Sequence, residues 1–244
     1  MGEHPTDIYT EADGDPDTLA NLGPLGPLAG MWESAQGADD HPVGPGSDAA
    51  EADVAAGTEH NVFVERYELE PIDPQTNGPQ LFYGLRYHVH IVKPGEVETF
   101  HDQVGYWLWE PAAHKVTHTL AIPRGQVLLA AGTAEPDATT FEVAAELGSQ
   151  TYGILSNPFL DLSFRTLSFR MRVTVNNDGT WSYEEETVLQ IPDRAEPFHH
   201  IDRNTLTRVG LPVPNPLART ESPCSAGSGS LAIGSLRNQR GNLL

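Results

Sequence analysis

The chain reads as an all-β protein, an up-and-down antiparallel β-barrel of about ten strands and of the calycin or lipocalin kind. Three observations predict it. Apolar and polar residues alternate with a period of two in several separate segments, clusters of Gly, Pro, Asn and Asp recur between those segments, and a helical period is almost absent along the 244 residues. Closing such a sheet removes its exposed edges and leaves an interior wide enough for one small ligand. The 39% hydrophobic content suffices for one sizeable core, and 23 Gly with 20 Pro favour short strands and many turns.

In chain order, residues 1–20 are polar and acidic and read as a disordered leader, residues 21–210 as the barrel domain, and residues 211–244 as a disordered Pro/Ser/Gly-rich tail. Asn21 to Met31 suit a short helical turn over one barrel end, with Trp32 entering the first strand. Residues 38–58, rich in Asp, Gly, Pro and Ala, read as an inserted loop that forms part of a lid. Strands over 62–69 and 81–90 follow, separated by the Pro71–Pro79 turn cluster. Lys93-Pro94-Gly95-Glu96 turns the chain into 97–109, and Glu110-Pro111-Ala112-Ala113-His114 turns it into 115–122. Two short strands fit 126–131 and 140–147, and Asn157 to Asp161 reads as a loop. Leu167, Phe169, Met171, Val173 and Val175 alternate with polar residues, and Asn177-Asp178-Gly179 then makes the clearest hairpin turn, into Trp181–Ile191. A last strand spans about 198–209.

The formal net charge is −20, and residues 1–60 hold thirteen Asp and Glu with no Lys or Arg. Such a block repels phosphate backbones and anionic lipid, which argues against nucleic-acid and membrane-surface partners; the expected partner is a small molecule in the barrel interior. The single Cys224 cannot form an internal disulfide. No basic patch precedes an apolar run at the start, and no stretch is long and apolar enough to span a bilayer, so the expected location is the cytoplasm.

Three groups of residues could carry chemistry. In strand 97–109, His101, Gln103, Gly105, Trp107 and Trp109 share one face, which suits an apolar cavity wall with a few polar points. On the residues alone, a buried His101 that merely satisfies a backbone group is the simpler reading. His199 and His200 are neighbours on the last strand, so they point to opposite faces and only one enters the barrel. His88 and His90 share a strand face, and with His118 they could make a zinc or iron site, unless Val89 and Ile91 form the buried face instead. Motifs for a hydrolase nucleophile, a phosphate loop or covalent haem attachment are absent.

Leu28-Ala29-Gly30-Met31-Trp32, His101 to Tyr106, Leu120 to Gly125 and Phe198-His199-His200-Ile201 together resemble the nitrobindin-like haem-binding β-barrels, a fatty-acid-binding-protein-like family that includes peroxynitrite isomerases. The likeness covers about residues 22–209. It departs at Glu33 to Pro42, where the family has a glycine-rich run ending in Tyr-Pro, and before Leu206, where a residue is inserted. The resemblance implies non-covalent haem b with iron held by His200, and a cofactor pocket that also draws on His101, Trp107 and His199. It further implies nitric oxide binding, or isomerisation of peroxynitrite to nitrate, at a ferric iron. Specific catalytic residues are not implied, and oligomeric state stays open, a homodimer included. Two rivals stand beside it: a haem-free carrier of a small apolar ligand, of fatty-acid-binding or lipocalin type, and a His-based enzyme in the same barrel, with or without a non-haem metal.

Overall fold

Alternating inward and outward side chains on eleven strands build the closed barrel, and the two-residue strand Ala52–Asp53 pairs outside the closure on the strand that follows it. The structure is a computed structural model that describes residues 14–43, 52–53, 57–216 and 218. Its strands are β1 (Gly30–Pro42), β2 (Ala52–Asp53), β3 (Thr58–Asn77), β4 (Gln80–Val92), β5 (Thr99–Glu110) and β6 (Lys115–Ile122). They continue with β7 (Gln126–Thr133), β8 (Thr140–Leu147), β9 (Gly153–Ser156), β10 (Arg165–Val175), β11 (Trp181–Gln190) and β12 (Phe198–Gly210). The sheet order is β1-β12-β11-β10-β8-β9-β7-β6-β5-β4-β3-β2, and β1 pairs back onto β3, which closes it.

The topology is up-and-down except at one place. β9 runs parallel to β8 and fills the gap between β8 and β7, two strands whose direct pairing is confined to Ala131 and Ala144. Gly132 permits the close approach there, since a Cβ on it would lie 1.8 Å from the Glu142 carbonyl oxygen.

Several boundaries differ from those expected. Residues 38–42 belong to β1, and pairing with β3 continues to Pro42↔Thr58, so the expected 38–58 insertion shrinks to the stretch between these strands. Most of that stretch, with its lid reading, lies outside the described residues. Pro71 and Pro74 stand inside β3, which runs on to Asn77 and the turn at Gly78. β1 reaches only to Leu69, so beyond it β3 has β4 on one side and an unpaired edge on the other, where a proline without an N–H does little harm. A helix α1 (Thr18–Asn21) packs on this edge through the Thr18 hydroxyl, which donates to the Ile72 carbonyl at 2.7 Å. Order therefore begins before residue 21. A second helix, α2 (Pro158–Ser163), replaces the expected loop: the Asn157 side chain caps the N–H groups of Phe159 and Leu160, and Pro158 opens the first turn. The remaining leader and tail lie outside the described residues.

One end of the barrel is plugged. A 3-10 helix, Gly23–Leu28, drives Leu22, Leu25 and Leu28 into it, and all three are buried. Gly23 adopts φ +55, and a Cβ on it would lie 2.6 Å from the Trp109 ring. Behind the plug all four tryptophans, Trp32, Trp107, Trp109 and Trp181, are at most 2% exposed. Trp32 donates its indole N–H to the Leu28 carbonyl at 2.7 Å and meets Trp181 edge-on at 6.1 Å.

His118 is sealed in the same core, stacked 4.0 Å from Trp107. Tyr87 donates its hydroxyl proton to the Thr119 carbonyl, so the His118 contact at 2.9 Å is an Nε2–H donating to the Tyr87 oxygen. Burial pushes the imidazole pKa down to about 3. The folded protein thus keeps His118 neutral while the unfolded chain protonates it near 6.5, so stability is complete above that pH and falls with acid. The loss from this residue is about 1.4 kcal/mol per pH unit between those values. Urea unfolding of His118→Phe at pH 7, 5 and 4 should show a shallower acid decline than the parent; parallel declines would refute a neutral buried His118.

Candidate functional site

At the end opposite the plug the interior changes character. β1 climbs from Gly30 to Pro42 and brings Asp39 and His41 there, β3 brings Glu59, Asn61 and Glu65, and β12 brings His200, Asp202 and Asn204. Adjacent inward rows explain the grouping: Asp39 pairs with Asn61 on one side and Asp202 on the other, and His41 pairs with Glu59. Side chains of His41, Lys93, His200 and Asp202 remain about a quarter exposed, so solvent reaches this end.

Histidine and carboxylate alternate through the cluster. Asp39 Oδ1 lies 2.8 Å from His200 Nε2, and Asp39 Oδ2 lies 2.6 Å from His41 Nδ1. His41 Nε2 stands 3.5 Å from Glu59, and His200 Nε2 stands 3.4 Å from Asp202. Burial works against charge on the His200 ring, yet Asp202 and Asp39 outweigh it and hold the imidazolium up to about 9. Asp39 is itself buried, but bonds to His200 and His41 pull its pKa below the usual carboxylate range. Asp202 faces Asp39 on one strand and Glu185 on the other. Burial and this crowding of like charges raise both Asp202 and Glu185. Glu65 accepts from the Tyr183 hydroxyl at 2.9 Å and from the Asn204 amide, and burial raises it to about 7.

On the facing wall, Arg124 Nη2 lies 3.2 Å from His101 Nδ1, and His101 Nε2 lies 3.0 Å from Gln103 Oε1. A guanidinium only donates, so Nδ1 accepts and Nε2–H donates to Gln103. Burial lowers the His101 pKa to about 4, and its ring is neutral. His101 and His200 are near enough for their charges to couple.

His200 and His101 are thus brought together from β12 and β5, both pointing inward. His199 points out and pairs with Glu186 at 2.7 Å. Trp107 points inward but is wholly buried in the core, with its N–H donated to the Tyr67 hydroxyl at 3.0 Å, so it underlies the site and does not line it. The His88, His90 and His118 grouping does not form. His88 faces solvent and bonds Asp102, His90 reaches Thr99 on the same outer surface, and His118 faces the core on the other side of the sheet. Val89 and Ile91 are the buried face.

Asp39, His41, Glu59, Asp202, Glu185 and Arg124 escaped the sequence reading. Asp202 was within reach, since it follows His200 by two on one strand and must share its face. The wall these residues make is polar and acidic, where the expectation was a largely apolar cavity. Among the described residues, Asp39, His200 and Asp202 also form a group whose ligand atoms lie within 4.8 Å of one another.

No described helix is long and apolar enough to cross a membrane. A family model described as the THAP4-like, heme-binding beta-barrel domain matches residues 21–208. Among solved structures, the chain is similar to Rv2717c from M. tuberculosis, with a TM-score of 0.49 and 18% identity over 80% of this chain and 99% of that chain. No curated protein matches it.

Proposed function

The chain belongs to the THAP4-like, heme-binding β-barrel domain family, and from that premise we propose that it binds haem b non-covalently through His200 and, so loaded, takes nitric oxide or isomerises peroxynitrite to nitrate. The observation that carries this reading is the state of His200: Nε2 is committed to Asp39, while Nδ1 has no partner among the described residues. Ligating histidines use one ring nitrogen for metal and the other for a fixed hydrogen bond; His200 itself meets that requirement, within a wall that Asp39, Asp202 and Glu185 make acidic. Metal binding at Nδ1 competes with a proton there. Bound haem iron would supply the Lewis acid on which nitric oxide binding or peroxynitrite rearrangement depends. The chain's own contribution is to hold the ligand ring on a rigid strand and to keep a second, neutral imidazole, His101, on the facing wall. Lys93, Arg124 and Arg194 ring this end and complement the two propionates by charge.

Haem titration of the purified protein followed by its Soret band tests the reading. The parent should bind one haem, and His199→Ala should match it. His200→Ala should lose more than the about 10–100-fold typical of removing a ligand's hydrogen-bonding partner. Equal titrations for His200→Ala and the parent would remove His200 as ligand, and nitrate yield from peroxynitrite then decides the activity.

A second reading has its own observation. The compact Asp39, His200 and Asp202 donor set suits a non-haem divalent ion, which prefers just such nitrogen and oxygen ligands. Zinc or manganese uptake by a parent that refuses haem would favour it.

A further inference from the structure

We propose that a zinc ion held between Asp39 on β1 and His200 and Asp202 on β12 clips the barrel shut at its site end. It rests on the divalent-ion reading above and adds which ion binds, through which atoms, and what binding does to the fold. Asp39 is directly opposed to Asp202 in the β1–β12 pair, and Asp202 to Glu185 in the β11–β12 pair, so three carboxyl side chains stand in one inward row. Like charges so placed repel, and a dication among them turns the repulsion into attraction. One ligand atom from each of Asp39, His200 and Asp202 lies within 4.8 Å of the other two. His200 Nε2 is 2.8 Å from Asp39 Oδ1 and 3.4 Å from Asp202 Oδ2. Donors about 2.1 Å from a tetrahedral ion stand about 3.4 Å apart, so these atoms need to move little to take zinc, and the gap among them is all the room a bare ion needs. One imidazole with two carboxylates suits zinc, whereas calcium asks for about six to eight oxygens. Zinc takes the place of the Nε2 proton: the N–H bond breaks, the nitrogen–zinc bond forms and the proton leaves to solvent. The fourth tetrahedral position falls to water, which reaches the quarter-exposed side chains of His200 and Asp202.

Asp39 is built to serve as the arm from β1. It is 2% exposed, and its Oδ2 is held 2.6 Å from His41 Nδ1 and 3.3 Å from the Asn61 amide, which leaves Oδ1 turned to His200. A ligand carboxylate steadied in this way keeps its place when the metal arrives. The backbone around it is where a clip has most to hold. The β1–β12 ladder pairs at Met31, Trp32 and Glu33 and resumes only at Ala38, Asp39 and Asp40. Between them β1 leaves its partner, and a groove lined by Ser34, Gln36, Asn204 and Thr205 opens in the wall. Three residue pairs thus hold the site end of this junction, and Asp39 with Asp202 is the middle one.

Zinc chloride titrated into the haem-free full chain, by calorimetry in two buffers of different protonation enthalpy, gives stoichiometry and proton release. Amide hydrogen exchange with and without zinc reads the junction. The parent should bind one zinc and release a proton. With free zinc at ten times its dissociation constant, exchange at residues 38–40 and 201–203 should slow about tenfold, while β5 and β6 stay unchanged. Asp202→Asn should weaken zinc by more than the about 10–100-fold expected of His41→Ala, which removes only a supporting bond. His199→Ala should bind like the parent. Zinc bound to the parent without slower exchange at 38–40 and 201–203 overturns the clip and leaves the divalent-ion reading standing. A parent that takes up no zinc overturns both, as do Asp202→Asn and His200→Ala proteins that bind it as tightly as the parent. Should either variant fail to fold, the exchange comparison on the parent decides.

Discussion

Trp107→Ala should cost about 3–5 kcal/mol of stability, a large part of what a domain of this size possesses. The side chain is wholly buried, stacks on His118 at 4.0 Å, meets Phe141 edge-on at 5.9 Å and gives its N–H to Tyr67. Truncation removes all of these at once. It leaves a cavity bounded by strands β3, β5, β6 and β8, which the closed ladder cannot collapse to fill. Trp107→Phe keeps part of the ring volume and should lie between. Urea unfolding at pH 7 measures both, and a loss below about 1 kcal/mol for Trp107→Ala would mean the core is far looser than its burial indicates.

Glu65→Gln should stabilise the protein at alkaline pH by roughly 3 kcal/mol. Burial raises the Glu65 carboxyl from 4.5 to about 7, so between these values the folded chain holds a proton that the unfolded chain has released. The stability it contributes is complete below about 4.5 and is lost as pH rises through about 7. Glutamine keeps an oxygen for the Tyr183 hydroxyl and the Asn204 amide and never ionises. The two proteins should therefore unfold alike near pH 4.5 and diverge toward pH 8. Parallel stability curves would show that Glu65 ionises normally.

The strands were legible wherever one face meets the core and the other meets water. Alternation shows which residues of 81–90 and 97–109 share a face, His101 with Trp107 among them, but not which face of 81–90 is inward; for the last strand, parity says only that one of His199 and His200 faces inward, and the family resemblance chose His200. What the sequence concealed has physical reasons. Asp39 and His41 sit in a Gly- and Asp-rich stretch that reads as loop because propensity discounts Gly and Asp in strands; two partner strands override it. Pro71 and Pro74 read as turn because a proline harms an interior strand, and only the three-dimensional pairing shows that theirs is an edge. A lone buried charge is costly, so a carboxylate in a strand gives no sign of facing the interior; here histidines from β1 and β12 share the cost. The distance between Trp107 and the site is a matter of depth along the strand, which parity cannot give.

Asp39 and His200 touch across the β1–β12 pair although 161 residues separate them along the chain. That pairing is also part of the seam where the first long strand receives the last. Loop closure over such a span is entropically expensive and slow, so it comes late among the contacts the chain makes while folding. A chain that has formed every hairpin from β3 to β11 still has two unsatisfied edges and only half of the His200 environment. The Asp39–His200 contact is therefore complete only when β1 and β12 pair. A ligand that bridges the seam would add its binding free energy to the contact that forms last, protecting the molecule against the opening that exposes aggregation-prone edges.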